Sequence, residues 1–267
     1  LRIFVTGADG FLGANTVRRL LTAGHRVRAF LEPESTAATL EGLPIERATG
    51  DVTSFENVYS AMRGCDAVVH AAGCTATWPN RSALVHRVNV TGTRNVEEAA
   101  LCMAVSRFVH VSSAGVFAPG TREVPGDERR LRSVGRHKLG YTRSKALAHQ
   151  LVAEAAKTRG LPATIVAPTF MFGPHDAGPT SGKVILAAYN GLLPGLPPGG
   201  RNFVSVKDVA AAIGLALERD VVGEAFIAGG SNLSYPELCS VIARVSGASI
   251  RVPPVLSPFA VRSVGML

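Results

Sequence analysis

Two periodicities alternate along the chain. Short, mostly apolar runs occupy residues 2–5, 27–30, 67–70, 108–112 and 164–167. That is the pattern of strands. Between them, apolar residues recur three and four positions apart over 14–23, 55–62, 91–103 and 141–157, which predicts helices with a buried face. Strand–helix alternation implies right-handed βαβ units and a parallel sheet. The first strands are continuously apolar, as in a sheet covered on both faces. The expected class is α/β, with a doubly wound parallel sheet.

The pattern changes after Pro168. Residues 172–200 are rich in Gly and Pro and read as loop, helix at 183–189, and loop. Helices are expected at 206–218 and 235–245. The predicted division is a larger domain over 1–168 and a smaller substrate lobe over 169–267, interleaved with the first and shortened at its carboxyl end.

Composition narrows this picture only a little. Hydrophobic residues make up 46% and charged residues 18% of 267 residues, an ordinary globular balance. The net charge of +8 raises nucleic-acid binding, but the densest basic cluster, Arg129, Arg130, Arg132 and Arg136, has no binding motif beside it, so no nucleic-acid partner is expected. Cys65, Cys74, Cys102 and Cys239 form no CxxC pair. No metal site follows, and the thiols fit a reducing cytoplasm. No apolar run reaches the length of a membrane span, and no signal peptide precedes the first strand.

Thr6-Gly7-Ala8-Asp9-Gly10-Phe11-Leu12-Gly13 directly follows the first strand and opens the first helix. Glycines there let the backbone turn tightly and approach a pyrophosphate, and the last one lets helix and strand pack closely. The free N–H groups of the helix start favour the anion. A dinucleotide site on a Rossmann-type domain is therefore expected, with a nicotinamide cofactor, NAD(P)(H).

Tyr141-Thr142-Arg143-Ser144-Lys145 places Tyr and Lys four apart, one above the other on a helix. A phenol ordinarily titrates near pH 10, and a nearby ammonium favours its ionised form. Tyr141 can then exchange a proton with a carbonyl or alcohol oxygen as hydride moves.

With these two motifs the chain resembles the extended short-chain dehydrogenase/reductase family, of the epimerase/dehydratase type, over nearly its whole length. Its pattern is most similar to bacterial dihydroflavonol-reductase-like proteins, hopanoid-associated sugar epimerases and 3β-hydroxysteroid dehydrogenases. The resemblance implies a Ser-Tyr-Lys triad in which Lys145 also holds the nicotinamide ribose. Of Ser112 and Ser113, it places Ser113 as the catalytic hydroxyl and Ser112 beside the cofactor. It adds to the cofactor site Asp51 and Val52 near the adenine, Ala71, Ala72 and Gly73 at a strand end, Asn89 in an N-x-x-G-T helix start, and Pro168 and Phe170. It implies substrate contacts from Cys74, Trp78, Ser113, Phe172 and Arg201. His70 reads as a packed strand residue.

The resemblance implies a small-molecule substrate, with hydride transfer between the nicotinamide and a secondary alcohol or ketone. The alternative is a nucleotide-sugar epimerase using the same triad. Ala167 stands where sugar-nucleotide members often carry Arg, which weakens that alternative, whereas Arg201 supports it. Ala114 and Gly115 replace the acidic residues of 4,6-dehydratases. A regulator without activity is opposed by the intact Ser113, Tyr141 and Lys145. Glu32, at the end of the second strand, can accept bonds from a ribose 2′-hydroxyl and repels a 2′-phosphate, so NAD is slightly favoured over NADP. The helices at 91–103 and 141–157 carry Val96, Ala99, Ala100, Met103, Ala146, Leu147, Leu151, Val152 and Ala155 on more than one side, and a helix apolar nearly all round needs a second cover. Family members pair these helices, so a homodimer is expected.

Overall fold

The computed structural model describes residues 1–76, 82–136, 140–248 and 250–257. The first half runs β1 (Arg2–Thr6), α1 (Phe11–Thr22), β2 (Arg26–Leu31), β3 (Glu46–Thr49), α2 (Phe55–Met62), β4 (Ala67–His70), α3 (Ala83–His86), a π-helical turn (Arg87–Thr91), α4 (Gly92–Cys102) and β5 (Arg107–Val111). Then follow α5 (Gly140–Thr158), β6 (Ala163–Pro168), β7 (Phe170–Phe172), α6 (Gly182–Tyr189), β8 (Gly200–Ser205), α7 (Val206–Glu218), β9 (Ala225–Ala228), β10 (Ser231–Ser234) and α8 (Tyr235–Ser246).

Seven strands form one sheet in the order β3-β2-β1-β4-β5-β6-β9, and every recorded pairing in it is parallel. This is a Rossmann-like doubly wound sheet, whose order reverses between β1 and β4. Side chains alternate across it. Ile3, Val5, Val69 and Val109 pack with Val17 of α1 and Ile213 of α7. Phe4, Val68 and Phe108 point the other way, onto Val58 of α2, Val96 of α4 and Val152 of α5. A smaller sheet, β10-β8-β7, carries α6 and α8 with a core of Ala188, Leu196, Phe203, Leu238, Cys239 and Ile242. Ser234 and Glu237 start α8 with a reciprocal capping box, which satisfies two otherwise bare N–H groups.

Several elements differ from their sequence-based reading. The expected placement of the helix at 206–218 in the small lobe is corrected: α7 lies on the large sheet, because Val206, Val209, Ile213 and Leu217 form its apolar face and join the core around α1. β9 likewise returns to the large sheet beside β6. β3 has the sequence Glu-Arg-Ala-Thr, with no apolar run. It is held as an edge strand by pairing with β2 and by Glu46, which bonds both Arg2 (2.6 Å) and Arg28 (3.0 Å). Of the side chains that motivated a dimer, Val96, Ala99, Ala100, Ala146, Val152 and Ala155 are buried within one chain, whereas Met103, Leu147 and Leu151 are only partly buried.

Gly13 fixes how closely α1 approaches β1. A Cβ there would lie 1.9 Å from the Gly7 carbonyl oxygen, backbone that cannot move aside, whereas a Cβ on Gly24 meets nothing within 4 Å. We expect Gly13→Ala to destabilise the fold by about 3 kcal/mol or more through overpacking. Gly24→Ala, strained only by its positive φ of 80°, should cost about 1–2 kcal/mol. Urea denaturation of both variants checks the order; equal losses would contradict it.

Candidate active site

All the parallel strands of the large sheet end on one edge, and many of the residues singled out in the sequence lie along it. Gly7 turns with φ of 62°. A Cβ on it would sit 2.7 Å from the Ala72 backbone nitrogen, so the end of β4 lies directly against the glycine turn. Phe11 and Leu12 open α1 over Gly10, whose backbone is extended. Asp9 binds the loop after β2: its carboxylate accepts the Ser35 hydroxyl and its carbonyl accepts Thr39 Oγ1 at 2.7 Å. Glu32 is exposed at the end of β2. Arg28 is turned away to Glu46 and to the carbonyls of Ala61 and Arg63 at 2.8 Å. Asp51 is exposed and Val52 buried beneath α4, where a Cβ on Gly92 would come within 3.0 Å of it. Asn15 of α1 donates to the Pro174 carbonyl at 2.8 Å, which holds the segment after β7 near the turn.

Beneath this edge runs a chain of polar groups. Ala72 N–H donates to Thr6 Oγ1 (3.1 Å), which meets His70 Nδ1 (2.8 Å). His70 Nε2 meets Thr93 Oγ1 (2.9 Å), whose proton goes to the Asn89 carbonyl (2.7 Å). These partners assign the His70 proton to Nε2. Asn89 lies in the π-helical turn, where its amide accepts Cys74 N–H (2.7 Å) and donates to the Cys74 carbonyl (3.0 Å) and Ser144 Oγ (2.8 Å). Ser144 donates to the Tyr141 carbonyl at 2.7 Å. His70 is thus a packed strand residue, but one that ties β1, β4 and the π-turn together. Thr6 and Thr93 were not singled out in the sequence, since a hydroxyl among apolar neighbours carries no motif.

The Ser113 hydroxyl lies near enough to the Tyr141 phenol to lower its pKa. Ser113 Oγ also accepts Gly115 N–H at 3.2 Å. Lys145 is buried and donates to the Val111 carbonyl at 2.8 Å. Burial lowers its pKa to about 8, so the ammonium form still prevails at neutral pH. Burial raises the Tyr141 phenol, and Ser113 opposes that rise. The expected lowering of Tyr141 by Lys145 is corrected: the ammonium is aimed beneath Tyr141, at the carbonyl of Val111. A point beside Gly73 lies 3.3 Å from Asn89 Oδ1 and 3.4 Å from Lys145 Nζ. A polar ligand group passing Gly73 would meet both.

Ser112, expected beside the cofactor, has its hydroxyl buried. Adjacent strand residues face opposite ways, and Ser112 points inward to His149 Nδ1 at 3.0 Å. Pro168 ends β6 and is buried. Phe170, Phe172 and Phe203 form an aromatic cluster in the smaller unit, with centroids 5.3–5.7 Å apart. Phe170, Val184, Arg201, Phe203, Tyr235 and Leu238 line a cavity of about 210 Å³, in which the Arg201 guanidinium sits 5.4 Å from the Phe170 centroid. Trp78 lies outside the described residues. Among the described residues, no helix is long and apolar enough to cross a membrane, and no His, Cys, Asp and Glu group is placed to hold a metal ion.

At this turn the absent side chains of Gly7 and Gly13 let backbone lie against backbone. The family model described as the NAD dependent epimerase/dehydratase family matches residues 3–229. The chain belongs to this family. Sterol demethylase protein B of Methylococcus capsulatus is 34% identical over 255 residues, covering 94% of this chain and 77% of that protein. A 3-beta-hydroxysteroid dehydrogenase of Mycolicibacterium neoaurum is 34% identical over 183 residues, covering 66% of this chain and 49% of that protein. Among solved structures, a nucleoside-diphosphate-sugar epimerase from Pseudomonas aeruginosa superposes with a TM-score of 0.86 at 28% identity, covering 100% of this chain and 83% of that one. As a member of the epimerase/dehydratase family, the chain is an NAD-dependent oxidoreductase or epimerase.

Three buried histidines give this family member an acid-sensitive core. Burial lowers His70 to about 3 and His149 to about 4, and it lowers His110 as well. Unfolded histidine titrates near 6.5, so below that pH the unfolded chain binds more protons. Stability is therefore full above about pH 6.5 and falls as the pH drops toward 4. Neither ring nitrogen of His110 has a partner among the described residues. His110→Phe should make the fall shallower. Urea midpoints across pH 4–8 test this; identical slopes in both proteins would contradict it.

Proposed function

We propose that the chain interconverts a ketone and a secondary alcohol on an apolar substrate, with Tyr141 as the proton donor or acceptor. The observation that carries this reading is that Tyr141, Ser113 and a buried Lys145, bonded to the Val111 carbonyl, gather at the end of β5, on the edge that holds the glycine turn. Gly7, Asp9, Gly10, Phe11, Leu12 and Gly13 would cradle the dinucleotide, with Ala71, Ala72 and Gly73 along its path and Asp51 and Val52 toward the adenine. Asn89 and Lys145 would meet its ribose. When bound, the nicotinamide supplies or accepts the hydride.

The protein's own groups handle the proton. Burial keeps Tyr141 protonated at neutral pH, as a donor to a carbonyl oxygen must be. Ser113 donates to the same oxygen and stabilises the charge that develops there. Lys145 holds the strand end through the Val111 carbonyl. The mostly apolar cavity near Phe170 and Phe203 and the sterol- and steroid-named relatives support an apolar substrate. One observation favours nucleotide-sugar epimerisation instead: Arg201 beside that cavity suits an anionic group. Oxidation of NADH by a panel of cyclic ketones, run against UDP-sugar interconversion, separates the two readings. Turnover of UDP-sugars alone would overturn ours.

Tyr141→Phe should leave dinucleotide affinity nearly intact and cut turnover at least about a hundredfold, the weight of a positioned acid–base group. Unchanged turnover would refute the assignment.

Glu32 and the Asp9–Ser35 contact put negative charge at the end of β2, and Arg28 is engaged elsewhere, so NAD is the favoured cofactor. At about 4 Å and an effective dielectric near 20, each unit-charge pair is worth roughly 4 kcal/mol before screening. Exposure and salt reduce that to about 1 kcal/mol. Glu32→Arg should therefore move the NADP-to-NAD affinity ratio about tenfold toward NADP. Titration with both cofactors decides, and a ratio that does not move would show that Glu32 does not face the ribose.

A further inference from the structure

Three consecutive residues at the end of β5 each meet a different turn of α5. Val111 accepts Lys145 Nζ at 2.8 Å, Ser112 shares a bond with His149 at 3.0 Å, and Ser113 lies beside Tyr141. Tyr141, Lys145 and His149 stand at i, i+4 and i+8, one stripe of one helix face. Two of these contacts belong to the proposed chemistry. The Ser112–His149 contact has no part in that chemistry as proposed, yet it lies between the other two on the strand. Both of its side chains are buried, at 3% exposure each. Phe117, just past Ser113, sets its ring edge-on to His149 with centroids 5.5 Å apart at 89°. The imidazole is therefore held on two sides by the strand end and the turn that follows it.

We propose that Ser112 and His149 are positioning residues whose hydrogen bond fixes β5 against α5 and so holds the Ser113 hydroxyl on Tyr141. The catalytic meaning of that contact rests on the function proposed above; the contact itself does not. Ser113 sits where the strand gives way to a turn, and its hydroxyl also accepts Gly115 N–H. Its direction therefore depends on how the preceding residue is anchored. A hydroxyl on the neighbouring, inward-facing position, bonded to a ring two turns along the same helix, supplies that anchor. Reacting groups must be held to within about half an ångström by such supports. The titratable groups packed around this seam are Lys145 and His149 on α5, His70 on β4 and His110 on β5. Burial keeps the three histidines neutral, so His149 acts by its shape and its bond rather than by charge.

The test reads the Tyr141 phenol directly and needs no substrate. Phenolate absorbance is titrated in the full chain, and the Tyr141→Phe version of each variant is subtracted. Because Ser113 holds the phenol down, His149→Leu should move its titration upward, and Ser113→Ala should move it by the same amount. The double variant should move no further than Ser113→Ala alone, the non-additivity of residues acting through one contact. His149→Gln, which can still bond Ser112, should titrate as wild type. If His149→Leu does not fold, Ser112→Ala takes its place with the same expected shift. With a reducible ketone in hand, kcat should fall at least about tenfold in His149→Leu, while dinucleotide affinity is unchanged. A His149→Leu protein that melts earlier but titrates as wild type would overturn the proposal. So would a shift that persists undiminished without Ser113. A failure of ketone turnover with the titration as expected would overturn the function and leave the positioning role standing.

Discussion

Gly13 lies so tightly against the Gly7 carbonyl that a Cβ on it would fall 1.9 Å from that oxygen, and much of the site follows from this approach. It sets the angle at which α1 leaves β1, and hence where the bare N–H groups of its first turn point. Gly7 in turn lies against the backbone of Ala72, so the end of β4 is fixed relative to that turn. Gly73, the next residue, is the point from which Asn89 and Lys145 are both within reach. One steric constraint near the amino terminus thus locates groups that lie in the π-helical turn and on α5.

The second organising feature is a polar seam inside an otherwise apolar layer. A sheet with both faces covered leaves no room for unpaired polar groups, yet Thr6, His70, Thr93, Asn89, Ser112, Ser144 and His149 all lie beneath the strand ends. Most are satisfied in closed pairs and chains, each donor meeting an acceptor. Keeping the histidines neutral is part of that order, because protonating any of them would add like charge beside the buried Lys145. His70 and His110 face each other across β4 and β5 at 5.5 Å between ring centroids.

The large sheet was legible because its strands are buried on both faces and announce themselves as apolar runs; β4 runs over Ala67–His70, the range its sequence implies. Among the strands that escaped notice, β7 and β9 are short apolar segments, Phe-Met-Phe and Ala-Phe-Ile-Ala, next to loops, whereas β3 and β10 lack apolar runs. β3 is charged, and β10 is Ser-Asn-Leu-Ser, so pairing rather than side-chain pattern makes them strands. The glycine turn and the Tyr141–Lys145 spacing could be read locally, since each is set by neighbours in sequence. What could not be read were partners distant in sequence. Nothing around Ser112 signals that it faces inward to His149, 37 residues on. The helix at 206–218 has a plain amphipathic pattern that says it must bury a face, but not that the face belongs to α1.

That last contact bears on how the polypeptide is made. One flank of α1 is covered by α7, some 190 residues later in the chain. At a synthesis rate of about 5–20 residues per second, the emerging amino-terminal half exists for roughly ten to forty seconds before its cover is translated. During that interval Val17 and Leu20 have no α7 to meet. The large sheet is therefore not an independently completed unit awaiting a substrate-binding addition. Its last layer arrives after most of the smaller sheet has already been synthesised, and folding of the nucleotide-binding half is tied to nearly the full length of the chain.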